Sequence, residues 1–311
     1  MIDKPMKAMS KSITNEQIQK FLDENDFFYG SPKFDGVFCV ITKEGAMTSA
    51  LKPHKNEFVR NCLAGNEYLG LVGELIVGSP TDPLCFNKTT GPVRRKAGEP
   101  NFKLYAFDTI LNKEMVYEER WITYMQVMQG GLPYVEIVPQ VKLTTLEEVL
   151  AYEETAMAMG FEGLMLRSPH GDYKEGRTTL RDQNLFKRKP VEDCEATIIG
   201  FVEQMENKNI ATINELGNTS RSTSKENLVP KNTLGALVLH NEQFGEFNCG
   251  TGQGLTKELR KYIWDNQELF MGETVTVKYQ GIGTMQKPRQ PIVIEGLEFK
   301  GFRDPDDITK W

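Results

Sequence analysis

The stretch Ser31-Pro32-Lys33-Phe34-Asp35-Gly36, which runs directly into VFCVITK at residues 37–43, decides how this chain is read. VFCVITK is apolar and β-branched enough for a strand, and the Glu44-Gly45 that follows is a turn signal, so a hairpin is predicted. Lys33 therefore stands near the end of a strand, beside an acidic residue. Gly36 lets the backbone turn sharply or pass close to a ligand. A lysine in such a place can act as a nucleophile once its amine has lost a proton, which burial or neighbouring cations favour. Taken alone, the four residues are better read as an ordinary turn.

Working outward, TNEQIQKFLDEN has capping-box spacing between Thr14 and Gln17 and puts Ile18, Phe21 and Leu22 on one helical face. A short helix is predicted around residues 56–64, then a strand YLGLVGELIV, a strand KLYAFDTI and a helix over about 114–128. LTTLEEVLAYEETAMAMG is punctuated as a helix, with Thr145 and Glu148 at its start and Gly160 as its stop. GLMLR and NLFKRKP read as further strands, the last ending at Pro190. Up to residue 190 the pattern is that of a mixed α+β domain. From 191 to 311 the texture changes to EATIIGFV, TLGALVLH, FGEFNCG, ETVTVKYQG and PIVIEGLEF, with a helix TKELRKYIWDNQELF among them. Five short strands and one helix are what an OB-type barrel shows. Residues 206–232 are rich in Ser, Thr and Asn and are predicted to form a long mobile loop.

A chain of 311 residues fits two domains. Its formal charge of −6 weighs mildly against nucleic acid, although local basic patches still bind phosphate. The five cysteines are scattered without a CxxC pair, and there are only three histidines, so a zinc site or disulfide framework is not expected. No apolar run approaches a bilayer span and the first residues lack an apolar signal core, which gives a cytoplasmic expectation with no membrane partner.

The motifs then fall in a fixed order: KFDG at Lys33, GELIV at Glu74, AFDT at Phe107 and Asp108, EGLMLR from Glu162 to Arg167, and LFKRKP with Lys187 and Lys189. Each has an ordinary structural reading by itself. Together they resemble the nucleotidyltransferase superfamily of ATP-dependent DNA ligases, RNA ligases and mRNA capping enzymes. TLGALVL, FGEFNCGTG, VKYQGIG and KPRQP are similar to the OB domain of compact phage, viral and bacterial DNA ligases, and GFRDPDD to the arginine-bearing end motif of phage ligases. The resemblance covers nearly the whole chain and points to a stripped-down ligase.

The resemblance implies that Lys33 attacks the α-phosphate of ATP, that the adenylate passes to a 5′-phosphate at a nick in duplex DNA, and that a 3′-hydroxyl then displaces AMP. Lys187 and Lys189, two residues apart on a strand, would share one face and hold the α-phosphate. Asp35 and Gly36 belong to the nucleotide site, Phe107 would stack on adenine, and Glu74 would lie near the ribose. Glu162 is a hard oxygen ligand suited to Mg2+, and Arg177 would touch the nucleotide or the nick phosphate. Arg289 and Arg303 match the family's later arginines less closely in spacing. Three positions depart from the DNA-ligase pattern: Phe38 and Ser49 stand where arginine is usual, and Val72 where aspartate is usual. Neither Phe nor Ser can supply a bidentate phosphate contact. Arg94-Arg95-Lys96 is read as solvated charge in a loop, whereas the cations between Lys174 and Lys189 are read as phosphate contacts. A monomer acting on nicked DNA is expected. An RNA ligase and a binding protein that has lost activity are the rival readings.

Overall fold

The computed structural model describes residues 2–189, 192–213, 219–252, 255–279, 287–288 and 291–295. One compact unit is Met1–Lys189 and a second follows it. In chain order the first unit contains α1 (Asn15–Glu24), β1 (Phe28–Pro32), β2 (Val37–Thr42), β3 (Gly45–Met47), α2 (Glu57–Cys62), β4 (Leu71–Val77) and α3 (Cys85–Arg94). It continues with β5 (Phe102–Thr109), α4 (Tyr117–Val127), β6 (Val135–Ile137), β7 (Val141–Leu143), α5 (Leu146–Ala158), β8 (Leu164–Arg167) and β9 (Leu185–Arg188).

These strands form two sheets, one ordered β7-β1-β8-β9 and the other β3-β2-β4-β5-β6. Each has its own apolar packing. Against the four-stranded sheet, Phe21 of α1 stacks on Phe28 of β1 at 3.8 Å between ring centroids, and Phe186 of β9 meets both edge-on. All three rings are buried, and each side chain of this size contributes roughly 1.5–3 kcal/mol by leaving water. The start of α1 is set by its capping box: the Thr14 hydroxyl accepts from the Gln17 amide, and the Gln17 side chain accepts from the Thr14 amide. Under the five-stranded sheet lie Leu75, Leu104, Tyr117 and Trp121. A third cluster, with Met6, Val40, Val72, Tyr173 and Leu185, joins residues of both sheets and the N-terminal segment.

The second unit contains β10 (Glu192–Asn207), β11 (Ala211–Ile213), β12 (Thr219–Arg221), β13 (Leu228–Asn241), β14 (Gly245–Gly250), α6 (Lys257–Asp265), α7 (Gln267–Phe270), β15 (Thr274–Tyr279) and β16 (Ile292–Glu295). Five of its strands close a barrel in the order β10-β13-β14-β16-β15. Ile198, Leu237, Leu239, Val275 and Val277 fill it together with Leu259 and Ile263 of α6.

Three sequence expectations are corrected. Residues 206–232 are not a long irregular loop among the described residues. β10 and β13 remain paired as far as Asn207 and Leu228, and β11 and β12 pair from Ala211 with Arg221 to Ile213 with Thr219. The Asn and Ser residues that suggested a loop stitch this ribbon: Asn209 Nδ2 donates to the carbonyls of Ser222 and Ser224 at 3.0 and 2.8 Å. Arg94 ends α3 instead of lying in a loop, because Gly91 and Pro92 are accommodated in the last turns of that helix. The single helix expected after Thr256 breaks at Asn266, which closes α6 and opens α7. No helix among the described residues is long and apolar enough to cross a membrane.

Candidate active site

Lys33 follows the last residue of β1, where the chain leaves the four-stranded sheet, and β2 of the other sheet begins four residues later at Val37. Two backbone hydrogen bonds extend the β1–β8 ladder past the strand ends and fix it there: Lys33 N–H to the Gly163 carbonyl at 2.7 Å and Glu162 N–H to the Lys33 carbonyl at 3.0 Å. Gly36 has to be glycine for a steric reason. A Cβ at that position would lie 2.3 Å from the Leu75 carbonyl oxygen. Gly163 is equally constrained, with φ +144° and a would-be Cβ 2.2 Å from the Arg188 carbonyl.

Beside Lys33 opens a cavity of about 370 Å³ lined from both sheets and the N-terminal segment. Its wall includes Lys33, Glu74, Phe107, Arg177 and Lys187. Thus five of the residues selected from sequence share one cavity. Glu162 lies outside that lining and reaches it through Lys33, since its two carboxylate oxygens accept from Lys33 Nζ and Lys189 Nζ. Burial works against the charge of Glu162, but the two ammonium groups outweigh it and hold its pKa below the usual carboxylate range. Burial and the charges of Lys33 and Arg177 pull the Lys187 ammonium down. Asp35 is not part of the lining either; its charge is felt at Glu74. Arg289 and Arg303 lie outside the described residues.

The Phe107 ring is held by a network that the sequence did not announce. Asp108 is buried and accepts from Arg167 Nη1 at 2.7 Å and Arg120 Nε at 3.2 Å. Both guanidinium groups are themselves buried. Arg167 also lies 5.4 Å from the Phe107 ring centroid and 4.7 Å from that of Tyr117, distances at which a cation and an aromatic face attract. The Tyr117 hydroxyl donates to the Phe107 carbonyl at 3.0 Å. The floor of the cavity is therefore a block in which one buried carboxylate bridges two buried guanidinium groups. Arg167 was within the quoted EGLMLR motif, but Arg120 sits in α4 with no sequence signal of burial.

Glu74 is the most perturbed carboxylate. Burial pushes it up to about 8, with the Asp35 and Glu162 charges adding to the rise and Lys33 and the Gly36 amide opposing it. Between about pH 4.5 and pH 8 the folded chain keeps a proton that the unfolded chain releases, so this group makes stability fall as pH rises through that window. Glu74→Gln cannot ionise. Its melting temperature relative to the parent protein is expected to climb across the window and level off above it, and a pH-independent difference would contradict the assignment.

Phe38, Ser49 and Val72 all line the same cavity. Phe38 and Val72 pack into the apolar cluster with Met6 and Tyr173. The charged groups expected at these positions are thus replaced by apolar contact and one hydroxyl. No group of three or more His, Cys, Asp or Glu is placed to hold a metal among the described residues. Magnesium in nucleotide sites takes one or two carboxylates and completes its shell with phosphate oxygens and water, so the Glu162 carboxylate is a compatible donor.

Residues 5–189 match the family described as "ATP dependent DNA ligase domain". The chain belongs to the ATP-dependent DNA ligase family. Residues 228–296 match a DNA ligase OB-like domain, in agreement with the barrel. The Chlorella virus DNA ligase-adenylate is 26% identical to this ligase-family chain, with a TM-score of 0.52 over 95% of this chain and 98% of that one. A Lig E DNA ligase shares the fold at a TM-score of 0.70 and 20% identity, over 95% of this chain and 99% of its own. The DNA ligase of African swine fever virus is 21% identical over 228 residues, which are 71% of this chain and 48% of the viral enzyme. The family member described here therefore spans about half the length of those viral ligases.

Proposed function

We propose that this chain is an ATP-dependent DNA ligase that seals 5′-phosphate/3′-hydroxyl nicks in duplex DNA as a monomer, through a lysyl-AMP intermediate on Lys33. The observation that carries the reading is the position of Lys33 Nζ. It lies on the cavity wall, bonded to Glu162, with Lys187 and the Phe107 ring lining the same space. In the first step the Lys33 amine bonds to the α-phosphorus of ATP, the bond to the bridging oxygen breaks, and pyrophosphate leaves. A 5′-phosphate oxygen then displaces the lysine from the adenylate, and the 3′-hydroxyl finally displaces AMP. Every step is displacement at phosphorus, so positioning and charge stabilisation do most of the work. Lys187 supplies positive charge to the AMP phosphate, and Lys189 keeps the Glu162 carboxylate in place. Phe107 offers a flat face to the adenine, and Glu74 lies on the ribose side. Mg2+, held by Glu162 with phosphate oxygens, would neutralise charge on the triphosphate.

The test is a duplex with one labelled 5′-phosphate nick, incubated with the protein, Mg2+ and ATP, with GTP in a parallel reaction. The expected result is joined strand with ATP alone. Joining confined to a nicked RNA strand would replace the DNA reading by the RNA-ligase one, and no joining of either would reject ligation.

A further inference from the structure

The cations that line the cavity are not equally balanced. Lys33 is paired with Glu162 and Arg167 with Asp108, and Arg177 Nη1 donates to the Ala8 carbonyl at 2.8 Å. Lys7 has no carboxylate partner among the described residues. Its backbone is tightly fixed. Lys7 N–H donates to the Gly176 carbonyl at 2.7 Å, the Thr178 amide donates to the Lys7 carbonyl at 2.8 Å, and residues 7 and 177 form a parallel bridge. The segment before it is pinned as well, since the amides of Asp3 and Lys4 donate to Glu175 and that of Met6 to the Tyr173 hydroxyl. This half-buried ammonium is thus set against Arg177 on the wall of a phosphate-handling cavity.

We propose that Lys7 is a phosphate ligand of this site, acting with Arg177 on the second phosphate of the reaction and not on the AMP phosphate next to Lys33. The inference rests on the ligase reading above. Holding two cations side by side, one of them partly out of water and unpaired, is unfavourable unless an anion arrives to share them. Burial and the Arg177 charge already pull the Lys7 ammonium down from its ordinary value, as expected for a group awaiting such a partner. The backbone bridge between residues 7 and 177 puts Lys7 beside Arg177, and both residues line the cavity. The cavity wall here also carries Phe38 and Ser49, which offer no charge, so Lys7 supplies positive charge from the N-terminal segment. The phosphate concerned is either the outer part of the ATP triphosphate or the terminal 5′-phosphate of the nick.

The two sources separate by step. Lys7→Ala, Lys7→Met and Lys7→Arg are compared with the parent protein in two single-turnover measurements: self-adenylation across a range of ATP concentrations, and transfer of AMP from pre-adenylated protein to a 5′-phosphorylated nick. Loss of one charge-assisted phosphate contact should slow one of these by about ten- to a hundredfold in the Ala and Met variants, and Arg should restore most of the loss. Slowed transfer with normal adenylation identifies the 5′-phosphate; a raised ATP requirement identifies the triphosphate. Met retains the length of the side chain, so a melting curve like the parent's shows that the fold is kept. Parent-like rates in both steps for a folded Met variant would overturn the proposal while leaving the ligase reading intact. A parent protein that itself takes no adenylate would remove the ligase reading and this inference with it.

Discussion

Lys33→Ala is expected to abolish formation of the protein–AMP adduct while leaving the melting temperature close to that of the parent. The nucleophile is lost outright, so the effect on the first step is complete and not a matter of tenfold factors. The fold should tolerate the change because Lys33 is a partly exposed side chain whose backbone, not its ammonium, maintains the β1–β8 ladder. Glu162 loses one partner but keeps Lys189. Lys33→Arg sharpens the test: it restores a cation opposite Glu162 yet provides no competent amine, so it should fold like the parent and remain unlabelled. Intact-mass measurement after incubation with ATP reads both variants. An adduct on either would move the nucleophile to another residue.

Asp108→Ala should produce the largest loss of stability of any single substitution at the site. It strips the carboxylate from two guanidinium groups, those of Arg120 and Arg167, which are 1% and 4% exposed. Leaving buried charge without its partner costs about 3–5 kcal/mol. Arg167 would also lose the anchor that keeps it beside Phe107, so whatever protein folds should bind ATP more weakly. Asp108→Asn retains an acceptor of the same shape and should fall between the two. Chemical denaturation of all three proteins measures this, and a parent-like midpoint for Asp108→Ala would show that the network does not support the site.

Much of the candidate site was legible because its residues fall in short motifs on or beside strands. Lys33, Glu74, Phe107 and Lys187 come to one cavity because β1, β4, β5 and β9 deliver them there; β4, β5 and β9 carry apolar runs that mark them as strands, whereas Gly30, Ser31 and Pro32 leave β1 unmarked in the sequence. What was hidden has a physical explanation in each case. Arg120 follows Glu118 and Glu119 in α4, and a run of charged residues gives no sign of burial; only the fold shows that this side chain turns inward to Asp108. Lys7 belongs to no motif, and its position depends on a backbone bridge to a residue 170 positions away. The ribbon within residues 206–232 is exposed on both faces over much of its length, so no apolar alternation marks its strands. Gly91-Pro92 is a turn signal that α3 overrides by burying Thr89 and Val93.

The most direct measurement is a pulse of α-labelled ATP with Mg2+, followed by a chase of unlabelled ATP with nicked duplex DNA. An acid-labile label is expected on Lys33 during the pulse, none from labelled GTP, and its departure during the chase first to the 5′-phosphate end and then as free AMP when the strand is joined. Protein shown to be folded and free of bound AMP that takes up no label would rule out a lysyl-AMP intermediate on Lys33.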